Sequence, residues 1–364
     1  MKALVVSNMY PSTPKPSFGV FVERMTTQMA ADGIEVQLAV RTGEGNKLIS
    51  YALFYWRAFW STIFTSADFV YVHFATHSFP PVWLALLFKR IPLVMNVHGA
   101  DIAPENKGNT FRNRILARIA RGALDRADLV VAPSNYFRQE VNQRFGTSLS
   151  KIHVSPSGGV ERKVFRPAEL PVSAKRRLLF LGRLIDGKGV SHIIPALNLL
   201  SERRPELLSE VVFAGDGPAR QALEYQASAS NHLSVEFLGS VDPERIPSVI
   251  GSCHGLIFPS YRRGESLGLV AIEAMSCGRL VLAARSGAMT EIIKHGHNGY
   301  LFAPDDARSL SDALETFFDL NAEDLRRLSH NAWIDSTQYD SSAVGAALSS
   351  ALRKRFNPAT EERT

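Results

Sequence analysis

Along the chain, short apolar runs alternate with longer stretches in which apolar positions recur three and four apart, the two periods of strand and helix. The short runs at 3–6, 35–40, 69–73, 93–97, 129–132 and 152–155 read as strands, with helices at 20–31, 48–64, 82–88, 111–126 and 134–145 between them. Gly33 stands just past the first of these helices, where a terminating glycine belongs. After Pro167 and Pro171 the pattern restarts, with strands at 177–181, 211–214, 235–238, 256–259 and 280–283. Apolar strands alternating with helices belong to parallel sheets covered on both faces. The pattern therefore predicts an α/β chain of two doubly wound domains, 1–168 and 169–340, joined by a linker near 166–175. A last helix within 341–364 is expected to return and pack on the first domain. In such folds ligands sit beyond the carboxyl ends of the strands, and a cleft between two such domains is the expected site.

A length of 364 residues agrees with two domains, and 45% hydrophobic with 21% charged residues describes an ordinary globular chain. Two cysteines, Cys253 and Cys277, cannot build a disulfide framework, and the opening MKALVVSNMYPSTPK lacks the basic and apolar regions of a signal peptide. Both point to the cytoplasm. Charge changes the picture more. Of 41 basic and 35 acidic residues, 20 and 12 lie at or before Leu170, so the first half carries +8 and the remainder, 21 against 23, carries −2. A basic half joined to a near-neutral one implies different partners for each. No nucleic-acid-binding module is present, so nucleic acid is not an expected partner.

Arg112, Arg114, Arg118, Arg121 and Arg126 lie on one helix with Phe111, Ile115, Leu116 and Ile119 between them, which suits an amphipathic surface meeting anionic lipid. The apolar run 48–64, with Arg57 at its middle, is too short to span a bilayer. Its aromatic density fits either a helix buried between layers or one lying in a membrane interface.

Two motifs could carry chemistry. GRLIDGKG follows the strand 177–181 and presents Arg183 and Lys188 among flexible glycines, a turn suited to a diphosphate. It is not the phosphate loop of nucleoside triphosphatases, which needs G-x-x-x-x-G-K-[ST]. The second is Gly264-Glu265-Ser266-Leu267-Gly268-Leu269, which follows the strand 256–259 and opens a helix. Free amides at that helix start would face an anion, and Gly268 would let a ligand approach the backbone. Glu265 and Glu273 are eight apart, about 12 Å on a helix, roughly the reach from a sugar across a diphosphate to a ribose. The same spacing recurs at Glu161/Glu169, Glu202/Glu210, Glu236/Glu244 and Glu315/Glu323, so the surrounding strand and glycines, not the spacing, single this pair out.

The block GESLGLVAIEAMSCGRLVLAARSGAMTEIIKHGHNGYLF resembles the donor site of the retaining glycosyltransferases of family four, which have the GT-B fold. NVHGADI, APS, GVERKVFRP, FLGRLIDGKG and FAGDGP resemble further pieces of that family in the same order, so the likeness spans nearly the whole chain. The resemblance implies two Rossmann-like domains facing across a cleft, the first binding acceptor and the second nucleotide sugar. It implies that Glu265 contacts the transferred sugar, with Ser266, Leu267 and Gly268 beside it, and that Glu273 contacts the ribose. Arg183 and Lys188 would hold the diphosphate as it leaves, and His98 in HGAD would sit near the sugar. Gly19 would bring backbone amides to the phosphates, and Gly239 falls where the base is recognised. His73, His77 and Asp101 are expected on the acceptor side. The chain departs from the family at Phe18-Gly19, Gly158-Gly159-Val160-Glu161 and Ser286-Gly287-Ala288, which bears on sugar and acceptor specificity.

No histidine pair has the cysteine and carboxylate company of a zinc site, and no Asp-x-Asp motif is present, so neither a metal nor another cofactor is expected. The expected activity is retaining transfer of a hexose-type sugar from a nucleoside diphosphate sugar to a hydroxyl of a lipid-linked glycan, in cell-surface polysaccharide assembly. The expected place is the cytoplasmic face of an anionic membrane. The alternatives are a sugar-nucleotide epimerase on the same fold and a non-catalytic subunit that binds sugar nucleotide or lipid.

Overall fold

Residues 1–102, 111–172, 176–207, 209–230 and 233–357 are described in a computed structural model. The apolar runs of the first half become β1 (Lys2–Ser7), β2 (Glu35–Val40), β3 (Phe69–His73), β4 (Leu93–Asn96), β5 (Leu129–Ala132) and β6 (Ile152–Val154). They form a parallel sheet in the order β2-β1-β3-β4-β5-β6. Successive residues of β1 point to opposite faces. Leu4 and Val6 join Val70, Val72 and Met95 in one core layer, while Ala3 and Val5 join Phe69, Tyr71 and Val94 in the other. The helices are α1 (Val20–Ala31), α2 (Lys47–Phe64), α3 (Phe79–Leu86), α4 (Phe111–Arg126) and α5 (Asn135–Phe145).

The second half repeats the plan with β7 (Arg176–Leu181), β8 (Ser209–Ala214), β9 (Ser234–Gly239), β10 (Gly255–Phe258), β11 (Leu280–Ala284) and β12 (Gly299–Phe302). This sheet is also parallel, in the order β12-β11-β10-β7-β8-β9. Around it lie α6 (Ile193–Arg203), α7 (Arg220–Ser228), α8 (Ile246–Gly251), α9 (Leu269–Ser276), α10 (Met289–Ile292), α11 (Ala307–Phe318) and α12 (Ala322–Asp335). A final helix, α13 (Ser341–Phe356), belongs to the first unit. There it packs on α1, Leu348 and Leu352 enter the core, and Phe356 stacks on Phe69 with centroids 5.1 Å apart.

The chain divides into Met1–Gly159 with the segment from Ser341, and Val160–Asp340. The division thus precedes the 168/169 boundary expected from the prolines. Val160 and Phe165 enter the core of the second unit, and the Val160 N–H donates to the Tyr339 carbonyl at 2.8 Å. Farther along, Arg279, buried on that unit, donates to the carbonyls of Ala168 and Glu169 at 2.8 Å and of Gly251 at 2.7 Å. That fastening makes 166–170 part of the second unit rather than a linker. Residues 173–175 of the expected linker lie outside the described residues.

Element ends moved for local reasons. The helix expected at 82–88 begins at Phe79, because Pro80 and Pro81 fit a first turn whose N–H groups need no intrahelical partner. Ser134 is the cap of α5 rather than its first residue, its side chain accepting from the Phe137 N–H at 3.2 Å. β12 was not anticipated. Its run GYLF is short and follows a polar turn, and it is read as a strand only once β11 is beside it.

Candidate functional site

Each sheet reverses its strand order at one place, between β1 and β3 in the first unit and between β7 and β10 in the second. Loops leaving the two neighbouring strands diverge there and open a crevice at their carboxyl ends. Of the sequence candidates, Gly19, His77, Arg183, Lys188 and Glu265 to Gly268 fall on these loops, whereas His73 ends β3, His98 and Asp101 follow β4, Gly239 ends β9 and Glu273 lies on α9.

In the second unit, the loop after β7 carries Arg183 and Lys188 and the loop after β10 carries Glu265. The loops touch at Gly189, where φ is +68° and a Cβ would fall 2.2 Å from the Pro259 carbonyl oxygen, so only glycine admits the contact. The approach brings Lys188 Nζ to 2.6 Å from Glu265 Oε2, and Ser260 Oγ donates to the same oxygen at 2.9 Å. Lys188 Nζ also stands 5.7 Å from the centroid of the Phe258 ring. The pair is mostly buried, with side-chain exposures of 19% and 22%. Burial acts to raise the Glu265 carboxyl, but the Lys188 ammonium and the Ser260 hydroxyl outweigh it, so the carboxyl is lowered and stays charged at neutral pH. Arg183 is exposed, and its guanidinium makes no ion pair among the described residues.

α9 begins at Leu269 behind Gly268, and no side chain caps it. The Ala271 N–H donates to the Gly268 carbonyl at 2.9 Å, which leaves the N–H groups of Leu269 and Val270 to meet an anion. Glu273, on α9, is buried. Because Glu265 precedes the helix, the helical rise does not give the Glu265–Glu273 separation, and the 12 Å expectation does not carry over. Gly268 has a packing reason as well as a positive φ of 75°: a Cβ would fall 2.7 Å from Met289 Cε and 3.0 Å from Phe258 Cζ. Leu267 is a core residue, so only its backbone is left for a ligand, while Ser266 is half-buried. Gly239 ends β9, and its carbonyl accepts from the Gly215 N–H at 2.7 Å.

In the first unit, His73 ends β3 and His98 follows β4, with His73 Nδ1 2.8 Å from His98 Nε2. Asp101 ties the two loops together, accepting from the N–H of His98 and of Ala75, each at 2.9 Å. Burial lowers the His98 imidazole to about 3, and burial together with His98 lowers His73 well below its ordinary value. Both rings are neutral across the physiological range, so one nitrogen of the contact carries the proton and the other accepts it. Burial raises the Asp101 carboxyl to about 6, against four backbone hydrogen bonds that pull it down. His77 does not join this cluster. It bonds Thr76 Oγ1 at 2.8 Å, and burial with the charges of Arg112 and Lys47 lowers it. The HFATH pair is therefore two separate positions. Gly19 caps α1 with φ +84°, and a Cβ there would fall 2.7 Å from the Met9 carbonyl carbon.

Residues 18–158 match the family described as Glycosyltransferase Family 4, and residues 161–333 match Glycosyl transferases group 1. The chain belongs to the group 1 glycosyl transferases. The glycosyltransferase YqgM of Bacillus subtilis is 25% identical over 333 residues, 87% of this chain and 88% of that protein. The alpha-D-kanosaminyltransferase of Streptomyces kanamyceticus is 28% identical over 279 residues, 72% of this chain and 71% of that one. Among solved structures, HepE of Anabaena in complex with UDP-glucose has a TM-score of 0.75 at 21% identity, covering 97% of this chain and 100% of that one. The sucrose-phosphate synthase of Thermosynechococcus elongatus has a TM-score of 0.76 at 18% identity, covering 98% of both chains. The two Rossmann-like units of this glycosyltransferase are those of the GT-B fold.

Sequence reasoning missed three parts of the glycosyltransferase's candidate site. Ser260 stands two residues past β10, a position that could have marked it. Phe21 and Phe74 enclose His98, with ring centroids at 4.8 and 4.4 Å. Phe74 does so with a φ of +68°, a costly conformation for a side chain of that size. Asn8 bridges the loops at the first switch point, its N–H donating to Ser78 Oγ at 3.0 Å. Among the described residues, no group of three His, Cys, Asp or Glu could hold a metal ion.

Proposed function

We propose that this glycosyltransferase moves a hexose-type sugar from a nucleoside diphosphate sugar to a hydroxyl of a lipid-linked glycan, with retention and without a metal ion. The carrying observation is the Lys188–Glu265 pair at the β7/β10 switch point, beside the uncapped start of α9. A diphosphate competes with Glu265 for Lys188 and recruits Arg183, and the two cations supply the countercharge that a metal would otherwise provide. Glu265 is then released to accept hydrogen bonds from sugar hydroxyls. A carboxylate already engaged on Oε2 by Lys188 and Ser260 suits that task better than nucleophilic attack. That favours departure and attack on one face of the sugar, with a diphosphate oxygen taking the acceptor proton. Glu273 and Gly239 serve the nucleoside, Gly19 the phosphates, and His98, held by His73 and Asp101, the sugar. HepE, solved with UDP-glucose, supports a nucleoside diphosphate sugar as donor. We place the enzyme at the inner membrane face, in cell-surface polysaccharide assembly.

Thermal-shift screening against uridine, guanosine and adenosine diphosphate sugars, followed by transfer assays, tests the reading. The true donor raises the melting temperature most, because it binds only the native state. No response to any of them overturns the reading, and release of an isomerised donor without acceptor would establish an epimerase instead.

A further inference from the structure

One face of the first unit is apolar and lies in solvent. On α2, Phe54, Ala58 and Thr62 recur every fourth residue and are buried. The opposite stripe, Ile49, Leu53, Trp56, Trp60 and Phe64, is exposed, Trp56 by 66% and Phe64 by 77%. α3 packs beside α2 and repeats the division, with Val82 and Ala85 buried and Trp83, Leu84, Leu87 and Phe88 exposed. α4 packs on α3 and adds exposed Phe111 and Ile115. At about 200 Å² per aromatic side chain, Trp56, Trp60, Phe64, Trp83 and Phe88 alone present about 600 Å² to solvent. That is at the upper limit of what a monomer ordinarily leaves uncovered.

The charges on the two segments that form this face have one sign, with the exposed Glu44 just before α2, beside Ile49 and Leu53, as an acidic neighbour. Residues 47–64 and 79–92 contain Lys47, Arg57, Lys89 and Arg90 and no aspartate or glutamate. Lys89 is engaged with the carbonyls of Ile63 and Thr65 at the end of α2, whereas Lys47 and Arg90 are exposed. On α4 the exposed Arg112 and Arg118 continue the cationic rim. Two copies of the chain meeting through this face would bring like charges together. An anionic leaflet answers both features, its acyl region taking the aromatic and leucine side chains and its headgroups the cations. Among the described residues no helix is long and apolar enough to cross a membrane, so the contact is parallel to the bilayer plane.

We propose that α2 and α3, rimmed by α4, form a docking face that seats the protein on an anionic lipid surface, with Trp56, Trp60 and Trp83 at headgroup depth. The assignment deepens the membrane part of the reading above and rests on it, and it is separable from the catalytic part. Three of the four tryptophans stand on this face, the other being Trp333, so intrinsic fluorescence reports on it directly. The experiment uses full-length Trp333→Phe protein with vesicles of phosphatidylglycerol in phosphatidylcholine. Emission is expected to shift to the blue and to be quenched by lipids brominated on the acyl chain. The double substitution Trp56→Ser with Trp60→Ser is expected to lower co-sedimentation by at least about tenfold. Arg112→Glu with Arg118→Glu is expected to abolish the preference for anionic over purely zwitterionic vesicles. Tyr225→Ser, an exposed aromatic on α7 in the other unit, is expected to change neither. Sedimentation without quenching assigns the contact to another face, and absence of both removes the lipid partner. Lipid-free self-association abolished by the tryptophan pair makes the occupant a second copy. Each of these outcomes overturns the proposal. The donor-induced thermal shift, measured on the same samples, separates the two readings: its absence with lipid binding intact removes the catalytic reading and leaves the docking face standing.

Discussion

Replacing Lys188 with alanine leaves Glu265 in a mostly buried position with Ser260 as its remaining hydroxyl donor. Exposed pairs are worth ~0–1 kcal/mol, and removing one partner of a fully buried pair costs about 3–5 kcal/mol. With exposures of 19% and 22%, this pair lies between those limits, and a loss of about 2 kcal/mol is expected. For a unit of this size that lowers the melting temperature by about 4–8 °C. The pH dependence is the sharper readout. In the native chain the Glu265 carboxyl is lowered, so its contribution to stability is present at neutral pH and is lost as pH falls through its folded value. Without Lys188 burial dominates, the carboxyl is raised, and its contribution is lost as pH rises instead. The difference between native and Lys188→Ala protein is therefore smallest at the acid end, below about pH 4, where both carry the carboxyl protonated, and it grows with pH to its largest value above about pH 7. Adding Glu265→Gln removes the stranded charge and restores at least about half of the loss at about pH 8. Calorimetry of the four proteins across pH measures all of this. In transfer assays Lys188→Ala should lower kcat by about 100- to 1000-fold through lost stabilisation of the departing diphosphate. A melting difference that is the same at every pH, or single losses that simply add in the double variant, would refute the coupling argued from the geometry. A kcat within about twofold of native would remove Lys188 from the chemistry.

Other expectations follow from single positions. Asp101 has a raised carboxyl, at about 6, so its contribution to stability is complete below the ordinary carboxylate range and is lost as pH rises through about 6. Urea titrations should show a decline on the order of 2–3 kcal/mol across that window, flattened in Asp101→Asn. The kcat/KM profile should show no inflection from His98, which is neutral throughout, and His73→Phe should lower kcat more than donor affinity by releasing the His98 ring. Gly268→Ala should destabilise by about 1–3 kcal/mol in denaturant, and Gly45→Ala by less. Both have positive φ, but only at Gly268 does a Cβ meet side chains, whereas at Gly45 nothing lies within 4 Å. Dialysis against EDTA should leave transfer rates unchanged, and a loss restored by added divalent cation would contradict countercharge by Arg183 and Lys188 alone.

The alternation of apolar runs with helical stretches was enough to read two doubly wound units, because a parallel strand buried on both faces leaves an unbroken hydrophobic signature. Phe69–His73 and Leu129–Ala132, buried at every position, are legible for that reason. Legibility fails where tertiary contacts decide. Pro167 and Pro171 look like a linker in isolation, but Arg279, more than a hundred residues later in the chain, fastens that segment to the second unit. The aromatic run 48–64 fits a buried or a surface helix equally well by composition. Its register against the sheet settles the matter, since Phe54, Ala58 and Thr62 use the sheet-facing stripe and leave Trp56 and Phe64 outside.

The candidate site divides along the same line. Arg183, Lys188 and Glu265 were visible because charged residues among glycines at strand ends are costly to place without a task, and the two motifs flank the switch point that the topology creates. Their pairing was not visible, since it depends on β7 and β10 being neighbours although α6 to α8 lie between them in sequence. The glycines were half understood. A glycine beside a ligand site has two explanations, room for the ligand or room for the protein's own backbone, and the sequence offers no means of choosing. At Gly189 the Pro259 carbonyl occupies the place of a Cβ, and at Gly19 the Met9 backbone does. Those glycines let neighbouring segments close on one another, and at Gly189 that closure brings a cation and a carboxylate from the loops of separate strands to a single point. Glycine at these positions is thus a condition for the site's geometry even where it touches no substrate, so Gly189→Ala should separate Lys188 from Glu265 and reproduce the pH signature of Lys188→Ala with both charges still in the chain.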